Sequence, residues 1–333
     1  MTPEPSDLLD LPAPLAVRRI ALGFLEEAAA AHARLMNQGD DKALHDFRVA
    51  LRRLRTWLRA DAWTGTDPPR KIARRLRRIA RATNTARDAE VLLNWAATHR
   101  DALRSSGRRA TAWLADWLAA RGGDASRKMQ TALADFDVHA SAWRESLAIL
   151  HVEQRVDDPA PAQPFRAHAG RLIGARCDAL NAALAAIKGA KDHEHIHAAR
   201  IAGKRLRYAI EPLAPVLPAA EPVIIAMKTI QDDFGFACDR DIFIQMLAKA
   251  ARAAGKQVAR AAFAQALAAE SKPARRVASA VPGLAALARI ANAEARTQYR
   301  HLRHCYLGAD GEQVLEPARQ LADALHAKSS EIV

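Results

Sequence analysis

An almost wholly helical fold, laid out twice along the chain, is what this sequence predicts, and three observations predict it. Half of the 333 residues are hydrophobic, mostly Ala and Leu, and only 15 are Gly, a composition that favours long helices over strands. Apolar residues recur at three- and four-residue spacings through most of the chain. A pattern of His, Arg and Leu that starts at His45 returns about 150 residues later at His197, far too long a period for a solenoid repeat.

In order, residues 1–13 form a Pro-rich, acidic lead, expected to be flexible. A first helix is expected over 14–37, with Leu15, Val17, Ile20, Phe24 and Leu25 inward, ending at Gln38-Gly39-Asp40-Asp41. The His45 helix follows to about Ala62, and Gly65-Thr66-Asp67-Pro68-Pro69 reads as a turn. A third helix opens at Arg70 and keeps Ile72, Leu76 and Ile79 at helical spacing. A turn at Thr83-Asn84-Thr85 leads into RDAEVLLNWAA, and helices near 107–121 and 125–150 close the first half. The stretch 155–164 is the linker candidate, which makes 14–154 and 165–308 the two helical bundles, each expected to have its own core, and 309–333 a helical tail. The second half repeats the plan: a helix over 165–188, the His197 helix ending before Pro212, EPVIIAMKTIQDDFG, ACDRDIFIQML, and helices near 256–270 and 283–306. One more helical stretch, 312–327, lies in the tail.

Charge narrows the partners. A formal net charge of +13 points to a polyanion: nucleic acid, an anionic membrane or an inorganic phosphate chain. No run reaches the roughly 18 apolar residues that a membrane span requires. The N-terminus lacks the basic opening of a signal peptide. Cys177, Cys238 and Cys305 are far apart and have no ligand-like spacing. A soluble cytoplasmic protein is expected.

The charge is organised. At about 100° per residue, Arg48, Arg52, Arg55 and Arg59 share one stripe that begins at His45, while Phe47, Leu51, Leu54 and Leu58 point the other way. In the second copy His197 meets His45, Arg200 meets Arg48, Lys204 meets Arg52, and Arg205-Leu206-Arg207 meets Arg53-Leu54-Arg55. Between His45 and Arg81 three acids face eleven Arg and one Lys. A solvated face would interleave acids to gain i,i+4 pairs, and like charges at that spacing cost a few tenths of a kcal/mol each. The choice of Arg over Lys suits bidentate phosphate contacts.

Chemistry-bearing alternatives are weaker. His193, Glu194, His195 and His197 resemble a metal cluster, but their side chains point in different directions and the first half has no counterpart of His193 or His195. No metal site and no cofactor are therefore expected. Asp88 with Glu90, and Asp239 with Asp241, invite an acid/base reading, yet an i,i+2 pair on a helix diverges by about 160°. Orienting neighbouring arginines is the better role for them. Tyr208 either touches ligand or packs. No Walker A loop, dinucleotide turn, HExxH or nucleophile elbow is present, so no catalytic residue is assigned.

The paired segments HDFRVALRRLR (45–55) and HAARIAGKRLRYAIE (197–211), each followed by a basic or Lys-bearing helix and an RDAEVL- or DRDIFI-type segment, resemble the CHAD family, the conserved histidine α-helical domain. The resemblance covers residues of about 12 to 308. It implies two pseudo-symmetric four-helix bundles around a basic central groove or pore. It also implies non-catalytic binding of inorganic polyphosphate, with phosphate or sulfate able to substitute, and residence at polyphosphate granules. Carried over by position, the ligand-facing set is His45, Arg48, Arg52, Arg53, Arg55 and Arg59 with His197, Arg200, Lys204, Arg205, Arg207 and Tyr208. Arg74, Arg77, Arg78 and Arg81 would join from the next helix, Lys228 from its counterpart, and Arg296, Arg300 and Arg303 from the closing helix. The chain departs from symmetry where Asp232 and Asp233 stand for Arg81 and Ala82 and Glu211 nearly opposes Arg59, so an asymmetric groove is expected. No ExExK strand of the kind found in triphosphate-processing relatives is present. The rival readings are RNA or single-stranded nucleic-acid binding, a phosphate-metabolism enzyme, and a scaffold without a ligand.

Overall fold

The structure, a computed structural model, describes residues 8–37, 40, 42–59, 69–148, 163–268 and 279–330. Its helices are α1 (Ala13–Met36), α2 (Ala43–Trp57), α3 (Arg70–Ala82), α4 (Asn84–His99), α5 (Arg104–Ala148), α6 (Phe165–Ala185), α7 (His193–Ile210), α8 (Ala220–Ala268), α9 (Val281–Tyr306) and α10 (Ala309–Ser330). No strand occurs among the described residues, and none of their helices is long and apolar enough to cross a membrane.

The elements form where their apolar stripes demand. In α2, Phe47, Ala50, Leu51, Leu54 and Trp57 are buried at helical spacing, leaving the arginines on the other side. In α3, Ala73, Leu76, Ile79 and Ala80 do the same. Helix α3 ends where the Thr83 hydroxyl donates to the Ala80 carbonyl at 2.9 Å, a local bond that competes with helix continuation. Helix α7 ends at Ile210 because Pro212 can supply no backbone N–H, and a 3₁₀ turn, Glu211–Leu213, follows.

Several expectations change. The Gly122-Gly123 pair does not break α5, which runs for 45 residues. Both glycines are exposed, and the roughly 1 kcal/mol cost of each against Ala is spread over a long helix packed at both ends. Among the described residues the second half holds no separate helix from 256: α8, 49 residues long, runs unbroken to Ala268. Helix α2 stops at Trp57, short of Ala62, and α6 stops at Ala185. The turn at 65–68 and most of the 155–164 linker lie outside the described residues. Where the lead is described it is tied down: Leu8 and Leu9 are buried, and the N–H groups of Phe165 and Arg166 donate to the carbonyls of Leu11 and Leu9 at 2.7 and 2.9 Å.

The tail is a structural element. Helix α10 packs along α6 and α9, burying Leu315, Ala318, Leu321, Ala322 and Leu325. Gly170 of α6 permits that approach, since a Cβ there would lie 2.9 Å from the Ala322 carbonyl oxygen. Gly308, at φ +92°, makes the corner between α9 and α10, a backbone region that favours glycine.

One core per half also gives way. A single apolar core runs through α1, α2, α3, the C-terminal part of α5, α6, α7, the start of α8, the end of α9 and α10. A second core is built jointly by the halves: Leu92 and Trp95 of α4, Ala110 and Leu114 of α5, Phe243 and Leu247 of α8, and Leu284 and Leu287 of α9. The long helices α5, α8 and α9 reach past the first core to make this second layer. Inside it Arg240 is buried against Phe236, Phe243 and Trp95, and Glu294 meets Arg240, the Trp95 indole N–H and His99. A buried charge is tolerable there because it is paired and hydrogen-bonded.

Candidate polyanion-binding site

Helices α2 and α7, the two copies of the His-Arg pattern, pack on each other, and their cationic stripes flank one seam. The Trp57 indole N–H donates to the Tyr208 carbonyl at 3.0 Å and fixes the crossing. Arg48, Arg52 and Arg55 of α2 are half-buried, as are Arg200 and Lys204 of α7, while His45, Arg59, His197 and Arg205 are exposed. The Arg200 guanidinium lies over Gly235 of α8, where a Cβ would sit 3.6 Å from its Nε.

The electrostatics are those of cations crowded together. No described carboxylate lies within ion-pair distance of Arg52, Arg55, Arg200 or Lys204. The Nε groups of Arg52, Arg55, Arg200 and Arg176 are sheltered from solvent without a hydrogen-bond partner, although buried donors are nearly always satisfied. Burial, then the charges of Arg200 and Arg52, push the Lys204 ammonium down to about 7. Burial, then Arg59, Arg77, Arg205 and Arg81, bring Arg55 down to about 10. His197 is shifted down by burial and by Arg200 and Lys204, with Asp241 acting in the opposite sense. Arg205 is lowered by burial, Arg176 and Arg59. Like charges this close repel one another, and an anion whose oxygens accept their N–H groups would offset that repulsion.

Other expected residues are placed differently. Arg53 is engaged by acids, donating to Glu211 at 2.6 Å and lying 3.3 Å from Glu27. Arg207 is nearly buried and lies 3.2 Å from Glu211 and 5.1 Å above the Tyr208 ring. These two guanidiniums are thus neutralised from within. Tyr208 is 3% exposed and packs. On α3, Arg77 and Arg81 reach the Arg55 neighbourhood, whereas Arg78 leans toward Asp135 of α5 at 3.6 Å beside a bidentate Arg75–Asp135 pair. Arg74 is exposed. Lys228 lies 3.8 Å from Asp232 at the rim of a cleft of about 580 Å³, whose walls include His45, Arg52, Arg53 and Arg207. Arg296, Arg300 and Arg303 are exposed on α9, which packs on α8, α5 and α10.

Asp241 meets His193 at 3.3 Å and accepts from Gln245 at 2.9 Å. Asp88 and Asp239 are half-buried and Glu90 is exposed. The HEHIH run forms the first turn of α7, where His195 meets Asp192, its N-cap, at 2.7 Å. Among the described residues no group of three or more His, Cys, Asp or Glu is placed to hold a metal ion. Burial raises the Cys238 thiol to about 11, so this sulfur beside Arg200 and Lys204 stays protonated.

Sequence reasoning missed Arg176. It stands on the Ala-rich helix α6, spaced five residues from Arg171, so no stripe marks it; only the fold brings it beside Arg205.

The architecture is therefore that of an all-helical protein whose repeated halves meet along a basic seam. A CHAD domain model matches residues 19–248, and the chain belongs to the CHAD family. The fold is similar to the crystal structure of the CHAD domain from the plant Ricinus communis, with a TM-score of 0.57 and 18% identity over 95% of this chain and 96% of that one. It is also similar to PptA from Streptomyces chartreusis, with a TM-score of 0.51 and 18% identity over 96% of this chain and 100% of that one. A comparison with curated proteins finds no match.

Proposed function

We propose that this protein binds inorganic polyphosphate along the α2–α7 seam without catalysing its turnover, in the cytoplasm and at polyphosphate granules. The observation that carries the reading is the cluster around Lys204, where Arg52 and Arg200 hold sheltered N–H donors and have no described carboxylate to neutralise them. Guanidiniums on one helix repeat at about 5.4 Å per turn, a spacing several phosphates of one flexible chain can meet together. Phosphate or sulfate would occupy the same donors one at a time.

Single-stranded nucleic acid is the rival. Binders of that class stack bases on exposed aromatic rings, and the rings at this seam, Trp57 and Tyr208, are 1% and 3% exposed. Titration with polyphosphate of defined length at several salt concentrations, with RNA as competitor, tests the reading. About eight neutralised contacts predict a log–log salt slope steeper than about −5. A slope near −1, or displacement by RNA at equal phosphate concentration, rejects it. Phosphate release during incubation with polyphosphate or nucleoside triphosphates would reject the non-catalytic part.

A further inference from the structure

The duplication relates the two flanks of the seam, and they are not electrostatically alike. On the first, Arg59 of α2 and Arg77 and Arg81 of α3 gather about Arg55, and Arg59 and Arg176 of α6 about Arg205 of α7, close enough to lower the pKa values of Arg55 and Arg205. About 150 residues away in the repeat, the counterparts of Arg55, Arg59, Arg77, Arg81 and Arg205 are Arg207, Glu211, Lys228, Asp232 and Arg53. These counterparts also gather. Arg53 meets Glu211 and Glu27, Arg207 meets Glu211, and Lys228 meets Asp232. Glu27, Arg53, Arg207, Lys228 and Asp232 line one cleft. Five cations on one flank are thus mirrored by three cations and two acids on the other, where Glu27 adds a third acid beside Arg53.

We propose that the seam is polar: it grips a phosphate chain from the α2–α3–α6 flank to its centre at Lys204, and the chain stops at the α7–α8–α1 flank. The inference rests on the polyphosphate reading and adds the form of the ligand: a chain end or a short oligophosphate, not a strand running through. To pass further, a phosphate would have to take Arg53 and Arg207 from Glu211 and Glu27 and approach Asp232, which repels it. Affinity then grows with chain length only until the first flank and the centre are filled.

The test uses the full chain and polyphosphates of increasing defined length, followed by calorimetry. The wild type should plateau at short length. Arg59→Glu with Arg81→Asp, which copies the second flank onto the first, should weaken every length at least tenfold. Glu27→Arg with Asp232→Arg, at two exposed positions, should carry the plateau to longer chains and tighten the longest at least tenfold. An unchanged length dependence in the Glu27–Asp232 variant overturns the proposal. Wild-type protein that binds no polyphosphate at all rejects the functional reading instead. Polarity is then decided with sulfate as probe, followed through the guanidinium Nε–H resonances. Larger shifts at Arg55 and Arg205 than at Arg53 and Arg207 support it, and equal or reversed shifts overturn it.

Discussion

The carbonyl of Tyr208 receives its hydrogen bond from the indole N–H of Trp57, 3.0 Å away and 151 residues distant in sequence. Within α7 that carbonyl would look to the N–H of residue 212, which is a proline and has none. The first copy of the repeat thus completes the helix end of the second, at the point where the two cationic stripes meet.

Replacing Trp57 by Phe strands a buried acceptor and leaves space in the core. A loss of about 1–3 kcal/mol from the acceptor alone is expected, read as a lower urea midpoint with an unchanged m-value. An unshifted midpoint would mean that the bond is replaceable.

Lys204 makes binding pH-dependent. Its native pKa of about 7 lies below the ordinary lysine value. Between that pH and about 10.4 the unfolded chain holds a proton that the native protein does not, so this residue makes stability rise with pH through that window. A bound anion favours the charged ammonium, so above pH 7 binding takes up a proton and affinity falls by up to about tenfold per pH unit. Calorimetry at pH 8 in buffers of different ionisation enthalpy should register that uptake in the wild type and lose it in Lys204→Met.

The seam and the α9 strip are separable. Arg52→Gln or Arg200→Gln should each lower polyphosphate affinity at least tenfold and flatten the salt slope by about 0.7. Arg296→Gln, Arg300→Gln and Arg303→Gln together should change the affinity for a seam-length chain less than twofold. Comparable losses from the two sets would extend the site onto α9.

Arg55 should show the cost of crowding cations. Its charge is opposed by Arg59, Arg77, Arg205 and Arg81, so Arg55→Gln should raise the melting temperature of the ligand-free protein by roughly 2 °C while weakening binding. Saturating ligand reverses the order, since 100-fold excess over Kd adds about 2.7 kcal/mol to the form that binds. A variant less stable than wild type in both conditions would give Arg55 a structural role instead.

Much of this was legible because it is local. The stripe from Arg48 to Arg59 and its echo from His197 are matters of helical spacing, and both α2 and α7 present them as that spacing requires. The resemblance put Arg77 in one ligand set with Arg55, and the repeat set Glu211 near the position of Arg59. What could not be read was pairing between distant segments. Arg53 and Arg55 are equivalent letters in the same run, yet one is held by Glu211 and Glu27 and the other is not. Arg176 gives no periodic signal, and Arg303 gives a good one but stands elsewhere. The continuity of α5 through Gly122-Gly123 was hidden because local helix cost is outweighed by packing at both ends of a long rod.

The jointly built second core has a consequence for how the chain behaves when it is divided. Neither repeat can bury Trp95 or Phe243 without the opposite one, so a polypeptide nicked between α5 and α6 should yield fragments that co-elute and melt in one transition. Either piece expressed by itself should seek a twin of itself to cover the bare layer, and so self-associate.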